Sequence, residues 1–224
     1  MHISVRAAQT GVKHQYDRPT CVAFAVTALH EYTHDVLKGL KKASEIDLSE
    51  EFLYYHCKRL DGLGPNSTGT TISAASASLA ADGQSLESLC PYKVSCPPGL
   101  TTPPNPSAFA DGKARRLLGL QQLNLSLSSI QNSLTLSKPV IAVLDWFSNA
   151  YVTQLGRIEI PRTTDRLLGR HAVLIVELEE EPRGGLCLIT FKNSWGTKWG
   201  DSGFGGFGLD YFSAYAREIW GVTT

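Results

Sequence analysis

The sequence predicts an α+β protein with a helical first half and a second half rich in β-strands. Apolar residues recur at three- and four-residue steps from Thr20 to about Leu37, which is the spacing of a helix with one buried face. The segment from Pro139 to Leu144 is a short continuous apolar run, the pattern of a buried strand. Helices grouped in one half of a chain and strands in the other are typical of this class.

The first half is predicted to contain three helices. Thr20 is suited to cap the first helix and Gly39 to end it. A second helix is predicted from Ser49 to about Cys57, with Ser49 as its N-cap and glutamates in its first turn. The small-residue segment from Thr71 to Ala81 is the third.

The second half begins after a proline-rich stretch at 96–106, which we expect to be extended. We predict a single domain over 1–224, with a mainly helical lobe at about 12–105 and a mainly β lobe at about 106–224. A short helix is predicted at 128–136. Two strands, His171 to Leu178 and Leu186 to Asn193, are predicted to form a hairpin around an acidic, glycine-containing loop.

The composition argues against several classes of function. Lys and Arg number 21, and Asp and Glu also number 21, so the charge gives no reason to expect nucleic acid or an anionic membrane as a partner. The segment Met1 to Arg6 lacks the apolar core of a signal peptide, and no apolar run is long enough to span a bilayer. The five cysteines include no Cys-x-x-Cys pair, so we expect neither a structural metal nor a cofactor. The sequence leaves the compartment open.

Cys21 stands in the predicted first turn of the first helix, within the stretch QYDRPTCVAF. Free N–H groups and the positive end of the helix dipole favour a thiolate at such a position. A cysteine in an apolar helix is also commonly a small buried residue, and five cysteines leave a disulfide as a third interpretation. The position alone does not choose among the three.

A thiolate nucleophile needs a base, and the base needs a group that orients it. A turn centred near Pro182 places His171 opposite Asn193 at one end of the predicted hairpin. A side-chain amide fixes the orientation of an imidazole without locking its charge. Each residue also has a plain structural interpretation, His171 as a strand-end residue and Asn193 as a turn former.

Three further residues are candidates for the same site. Gln15 precedes Cys21 by six residues, and its side-chain amide could donate to an oxyanion together with the Cys21 N–H, although glutamine is also common in surface loops. Trp195 and Trp199 follow Asn193 closely. Their indoles could exclude water from a hydrogen bond of Asn193, pack in the core, or do both.

These residues together resemble the papain-like cysteine proteases. The resemblance rests on Gln15, on CVAF from Cys21, on HAV from His171, and on KNSWGTKWGDSG from Lys192. The segment LSEEFL from Leu48, the later Cys57 and the pair Pro91-Tyr92 are also similar to family motifs. The similarity extends from about residue 12 to the C-terminus.

The resemblance implies a two-lobed fold in which a helical lobe and an antiparallel, β-barrel-like lobe enclose the active-site cleft. It implies a catalytic triad of Cys21, His171 and Asn193, with the Gln15 amide and the Cys21 N–H as oxyanion donors. Cys21 would attack a peptide carbonyl of a protein or peptide substrate, and His171 would act as general acid and base. The expected substrate contacts are Gly69, Thr70 and Trp195.

Several positions depart from the family pattern. Arg18 stands where the family has a cysteine that forms a disulfide, and Val22 replaces an aromatic residue. Thr70 takes the second place of the family's Gly-Gly strip, where it would narrow the substrate-binding groove. Arg170 precedes His171, and we expect its charge to disfavour the imidazolium. The resemblance also allows a Cys57–Cys96 disulfide, although none is needed in a reducing compartment.

The role in the cell is a separate hypothesis. Members of the family are often made with an inhibitory pro-segment, whereas Cys21 lies near the start of this sequence. With the missing disulfide, this motivates a bacterial-type, toxin-like effector protease restrained by a cognate inhibitor or immunity protein. Two alternatives remain: deamidation or transamidation on the same site, because amines also resolve an acyl-enzyme, and a binding module without catalysis, against which the intact site residues argue.

Overall fold

A computed structural model describes residues 1–37, 46–64, 66–97, 99–117, 119–151, 153–180 and 187–222 of the chain. Before residue 98 the described residues contain three α-helices: α1 (Cys21–Leu37), α2 (Glu50–Leu60) and α3 (Ile72–Ala81). The hydroxyl of Ser49 accepts from the N–H of Phe52 and caps α2, and Thr71 caps α3 by accepting from Ala74. The three predicted helices are therefore confirmed, while Gly39 lies outside the described residues.

Thr20 precedes α1 as predicted, but its side chain does not act as the expected cap. The Thr20 hydroxyl lies 2.8 Å from the hydroxyl of Tyr92 and 3.4 Å from the carbonyl of Arg18. The Thr20 carbonyl accepts the first helical hydrogen bond, from the N–H of Phe24 at 3.1 Å. Thr20 thus connects the start of α1 to Tyr92, in the segment that follows α3.

Three shorter helices follow: α4 (Pro106–Gly112), α5 (Leu127–Thr135) and α6 (Leu209–Tyr215). Only α5 was predicted from the sequence. The proline-rich stretch has no regular structure at 99–105, as expected, and Pro106 then opens α4 at the position where a missing N–H is tolerated.

The strands come almost entirely from the second half of the chain. They are β1 (His2–Ser4), β2 (Leu120–Leu123), β3 (Val140–Phe147), β4 (Arg157–Ile158), β5 (Leu167–Glu180), β6 (Cys187–Lys192), β7 (Phe204–Gly208) and β8 (Ala216–Val222). They form one sheet in the order β2-β8-β3-β5-β6-β7-β4, and β1 pairs with β5. Neighbours are antiparallel except the short β4 and β7, which are parallel.

The predicted register of the β5–β6 hairpin was wrong by two or three residues. Leu174 pairs with Lys192 and Glu180 with Cys187, with an irregularity between Ile175 and Glu177. Pro182, about which the turn was predicted, lies outside the described residues. β5 also begins at Leu167, so His171 lies inside the strand rather than at its mouth.

The core joins the two halves of the chain. Buried residues of α1, including Ala23, Val26 and Leu29, belong to the same hydrophobic cluster as Val173 and other buried residues of β5. This packing sets α1 against β5 and so brings its first residue near His171. The division into lobes at about residue 105 stays a prediction. Among the described residues, no helix is both long and apolar enough to cross a membrane.

Candidate active site

Two of the three predicted catalytic residues, Cys21 and His171, line a cleft of about 500 Å³ together with Gln15, Trp195 and others. Cys21 is the first residue of α1 and is half-buried. The backbone N–H of Ala172 forms a hydrogen bond to its sulfur. Ala172 follows His171 in β5, and Cys21 and His171 line the same cleft.

Asn193 fixes the tautomer of His171. His171 Nε2 lies 2.8 Å from Asn193 Oδ1, and the backbone N–H of Ser194 donates to the same oxygen at 2.8 Å. The amide therefore presents its oxygen, which only accepts, so Nε2 carries the proton of a neutral ring. The lone pair then lies on Nδ1, and this is the nitrogen that can take a proton from Cys21.

Aromatic rings enclose the imidazole. The ring of Trp146 lies 4.6 Å from that of His171, and the ring of Trp195 lies 5.3 Å away. Trp199 packs edge-on against Trp195 and donates its indole N–H to the carbonyl of Ala150 at 3.1 Å. His171 is only 6% exposed as a result. Trp146 was not recognised as a site residue from the sequence, although it follows the predicted strand closely.

Burial favours the neutral form of both reacting groups. It lowers the pKa of His171 to about 4, against which the hydrogen bond to Asn193 acts. It also raises the pKa of the Cys21 thiol, opposed by backbone N–H groups of Ala172, Val22 and Cys21. A charged thiolate and imidazolium must therefore stabilise each other, together with the N–H groups and the dipole of α1.

Arg170 does not act on His171 as expected. Its side chain is 68% exposed and lies 3.9 Å from the carboxylate of Asp145. The lowered pKa of His171 comes from burial and not from this cation.

Gln15 is held in the cleft by four hydrogen bonds, one of which runs from the hydroxyl of Tyr92 to the Gln15 carbonyl at 2.8 Å. Its Oε1 accepts from the hydroxyl of Ser194 at 2.6 Å, its Nε2 donates to the carbonyl of Arg18 at 2.8 Å, and its backbone N–H donates to the carbonyl of Ser194 at 2.8 Å. An amide nitrogen carries two protons, so the second one remains for an oxyanion beside Cys21. Ser194 was not recognised as a site residue from the sequence, although it directly follows Asn193 in the motif that begins at Lys192.

Arg18 fills the position of the family cysteine with a buried ion pair. Its guanidinium lies 2.5 Å from the carboxylate of Glu51 and donates to the carbonyls of Lys93 and Leu100 at 3.0 and 3.4 Å. The Tyr92 ring lies beneath it, 4.8 Å from the guanidinium carbon. These contacts link the segment before α1 to α2 and to the segment between α3 and α4.

All five cysteines lie in the described residues and carry free thiols. The sulfur of Cys57 lies 3.9 Å from the hydroxyl of Ser78, and that of Cys96 lies 3.4 Å from the carbonyl of Leu100. The Cys57–Cys96 disulfide allowed by the resemblance is therefore not formed. Among the described residues, no three His, Cys, Asp or Glu side chains are grouped as metal ligands.

Two residues predicted to contact the substrate, Gly69 and Thr70, lie outside the described lining of the cleft. Gly69 and Thr70 precede α3, and the carbonyl of Gly69 accepts from Lys58 at 3.0 Å. Their role in substrate binding stays a prediction.

A larger cavity, about 950 Å³, is lined by part of the 148–165 segment and by β7, and contains none of the predicted catalytic residues.

The geometry agrees with the comparison to protein families. The family model described as "Papain family cysteine protease" matches residues 2–210. The chain therefore belongs to the papain family of cysteine proteases.

Solved structures of this family share the fold. Xylellain, a cysteine protease from Xylella fastidiosa, superposes with a TM-score of 0.85 at 21% identity, over 100% of this chain and 85% of that one. Bromelain from Ananas comosus, in complex with the E64 inhibitor, gives a TM-score of 0.74 at 21% identity, over 98% and 96% of the two chains. These similarities confirm the predicted α+β, papain-like fold.

One curated relative also matches in sequence. An uncharacterized peptidase C1-like protein, L477, from Acanthamoeba polyphaga mimivirus is 30% identical over 88 residues. The match covers 38% of this chain and 26% of the mimivirus protein.

Proposed function

We propose that the protein hydrolyses peptide bonds as a cysteine peptidase, with Cys21 as nucleophile, His171 as general acid and base, and Asn193 as the orienting residue. The observation that carries the proposal is the 2.8 Å hydrogen bond from His171 Nε2 to Asn193 Oδ1. It leaves Nδ1 as the basic nitrogen in a cleft that also holds the Cys21 sulfur.

In the first half of the reaction, His171 Nδ1 takes the proton of the Cys21 thiol, and the sulfur forms a bond to the peptide carbonyl carbon. The carbonyl oxygen becomes an oxyanion, which accepts from Gln15 Nε2 and from the Cys21 N–H. The imidazolium then gives its proton to the amide nitrogen. The C–N bond breaks, the amine leaves, and a thioester remains on Cys21.

In the second half, His171 Nδ1 removes a proton from water as the water oxygen attacks the thioester. The C–S bond breaks, the carboxylic acid is released, and the sulfur recovers the proton from the imidazolium. Proton transfer to His171, from the thiol or from water, separates charge but creates no net charge in the cleft. Burial therefore opposes each transfer less than it opposes ionisation of either group alone.

The test uses the epoxide inhibitor E64 and mass spectrometry. We expect one adduct, located at Cys21, and loss of hydrolysis of peptide substrates in parallel. Cys21→Ala should abolish both, and Cys96→Ala, which changes another partly exposed thiol, should retain both. Labelling at Cys21 without any peptide cleavage would favour deamidation or transamidation, and absence of labelling would favour a binding module.

A toxin-like effector role with a cognate inhibitor is the finer part of the proposal. It is supported by the free thiols, which suit a scaffold that works in a reducing compartment. The test is expression in a bacterial host: growth should fall with the wild type and not with Cys21→Ala. Harmless accumulation of active enzyme, or purification from its native source with no inhibitory partner, would contradict this role.

A further inference from the structure

The end of the cleft beside the imidazole is the side on which the leaving amine must lie. This follows from the proposed function, since His171 protonates that amine. Side chains around the imidazole therefore contact the substrate residue that follows the scissile bond. The nature of these side chains decides which residue fits there.

Two aromatic rings form one wall of this end. Tyr151 stacks on Trp195, with ring centres 4.8 Å apart and planes 8° from parallel. Tyr151 nevertheless remains 62% exposed, so one face of the pair is open to a ligand. Leu168, which is 43% exposed, lines the same cleft. Large apolar surface left open in a cleft is typical of a binding site.

A third ring belongs to the same end. Tyr16 lines the cleft and stacks on His14 at 4.2 Å. Its φ of 53° is in the left-handed region, which is rare for an aromatic residue and costs free energy. The segment before Tyr16 pairs with the segment that contains Trp195. His14 and Trp195 form an isolated antiparallel β-bridge, and the N–H of Gly196 donates to the carbonyl of Lys13 at 3.1 Å.

Charges at this end do not oppose an apolar ligand. Arg170 and Asp17 line the cleft with opposite signs, and Arg170 faces Asp145. The uncharged residues that line the cleft include the aromatic residues Tyr16, Tyr151 and Trp195 and the aliphatic residue Leu168.

We infer that this end of the cleft selects an aromatic or large aliphatic side chain in the substrate residue that follows the scissile bond, and that Tyr151 and Leu168 are specificity-determining residues. The incoming side chain would pack against the open face of the Tyr151–Trp195 pair. Contacts of an aromatic ring with such a pair correspond to roughly a 2- to 10-fold preference.

The test measures how added amines intercept the acyl-enzyme. A fluorogenic peptide amide whose leaving group is a coumarin acylates Cys21, and the thioester then partitions between water and an amino acid amide that occupies the leaving side. We expect phenylalaninamide and leucinamide to intercept the acyl-enzyme about fivefold more efficiently than glycinamide. The partition ratio is measured within one enzyme, so it does not depend on the active fraction.

The variants separate this inference from general loss of activity. Tyr151→Ala and Leu168→Ser should each reduce the preference at least about twofold, and Tyr151→Phe, which keeps the stacked ring, should retain it. Leu155→Ala, at a leucine that is 79% exposed and outside the described lining of the cleft, should leave the ratio unchanged. Equal interception by all amides, or an unaltered preference in Tyr151→Ala, would overturn the inference. Failure to form any acyl-enzyme would overturn the peptidase proposal as well.

Discussion

The guanidinium of Arg18 lies 2.5 Å from the carboxylate of Glu51, and both side chains are almost completely buried. The carbonyl of Arg18 accepts from Gln15 Nε2 and from the N–H of Thr20, each at 2.8 Å. One residue therefore connects the buried ion pair to the candidate oxyanion donor and to the start of α1. A residue of a buried charge pair thus stands at the position where the resemblance implies a disulfide-forming cysteine.

We predict that Glu51→Gln destabilises the protein by about 3–5 kcal/mol, because it leaves a buried guanidinium without a counter-charge. The free energy of unfolding in urea measures the effect. Arg217→Met removes an ion pair with Asp145 whose arginine side chain is 41% exposed, and its effect on the free energy of unfolding should be much smaller than that of Glu51→Gln. The double variant Arg18→Met with Glu51→Leu should recover much of the loss. Equal effects of Glu51→Gln and Arg217→Met would contradict the role of the buried pair.

Gln15→Ala should lower kcat about 10²- to 10³-fold, since it removes a donor to the oxyanion. KM should change little, because the donor acts mainly in the transition state. Steady-state kinetics on a peptide substrate measures both constants. Gln121→Ala, at an exposed glutamine of β2, is the matched control. A change confined to KM would show that Gln15 binds substrate and does not stabilise the oxyanion.

Stability should fall as the pH falls from about 6.5 to about 4, in part because of His30. Burial lowers the pKa of His30 in the folded protein to about 4, and its ring lies 2.9 Å from Gln84 Oε1. Over this range the unfolded chain binds a proton that the folded protein does not, so protonation favours unfolding. His30→Gln should reduce the slope of unfolding free energy against pH by up to about 1.4 kcal/mol per pH unit.

The control for this slope is Thr33→Ala, which alters another buried polar residue of α1 without removing a titratable group. It should change the unfolding free energy by a similar amount at every pH between 4 and 6.5. If His30→Gln shifts the curve uniformly in the same way, His30 is not the source of the acid sensitivity.

Unfolding in denaturant with iodoacetamide and no reductant should add five carbamidomethyl groups, because the five cysteines are free. Intact-mass measurement counts them. The midpoint of thermal unfolding should also be the same with and without a thiol reductant, since no disulfide contributes to stability. Three adducts instead of five would indicate one disulfide in the native protein.

Much of the fold could be predicted from the sequence because its signals are local. The periodicity of α1 and the caps of α2 and α3 depend on neighbouring residues alone. Five strands were not predicted: β1, β2, β4, β7 and β8. The sequence of β7 is FGGFG, and its glycines remove the side-chain pattern that predicts a strand. The prediction of the β5–β6 register also failed, because it assumed a regular ladder, whereas the pairing shifts at an irregularity between Ile175 and Glu177.

The sequence by itself determined which residue types were available for catalysis: a thiol at the start of a helix, an imidazole in a strand, and amides at Gln15 and Asn193. Only the tertiary structure decided how they are used. The hydrogen bond of Ser194 to Asn193 sets the imidazole tautomer, the contact of Ala172 with Cys21 sets the position of the sulfur, and enclosure by Trp146 and Trp195 sets the pKa of His171. The physical reason is that hydrogen-bond geometry and burial arise between residues distant in the chain, whereas sequence patterns report neighbours.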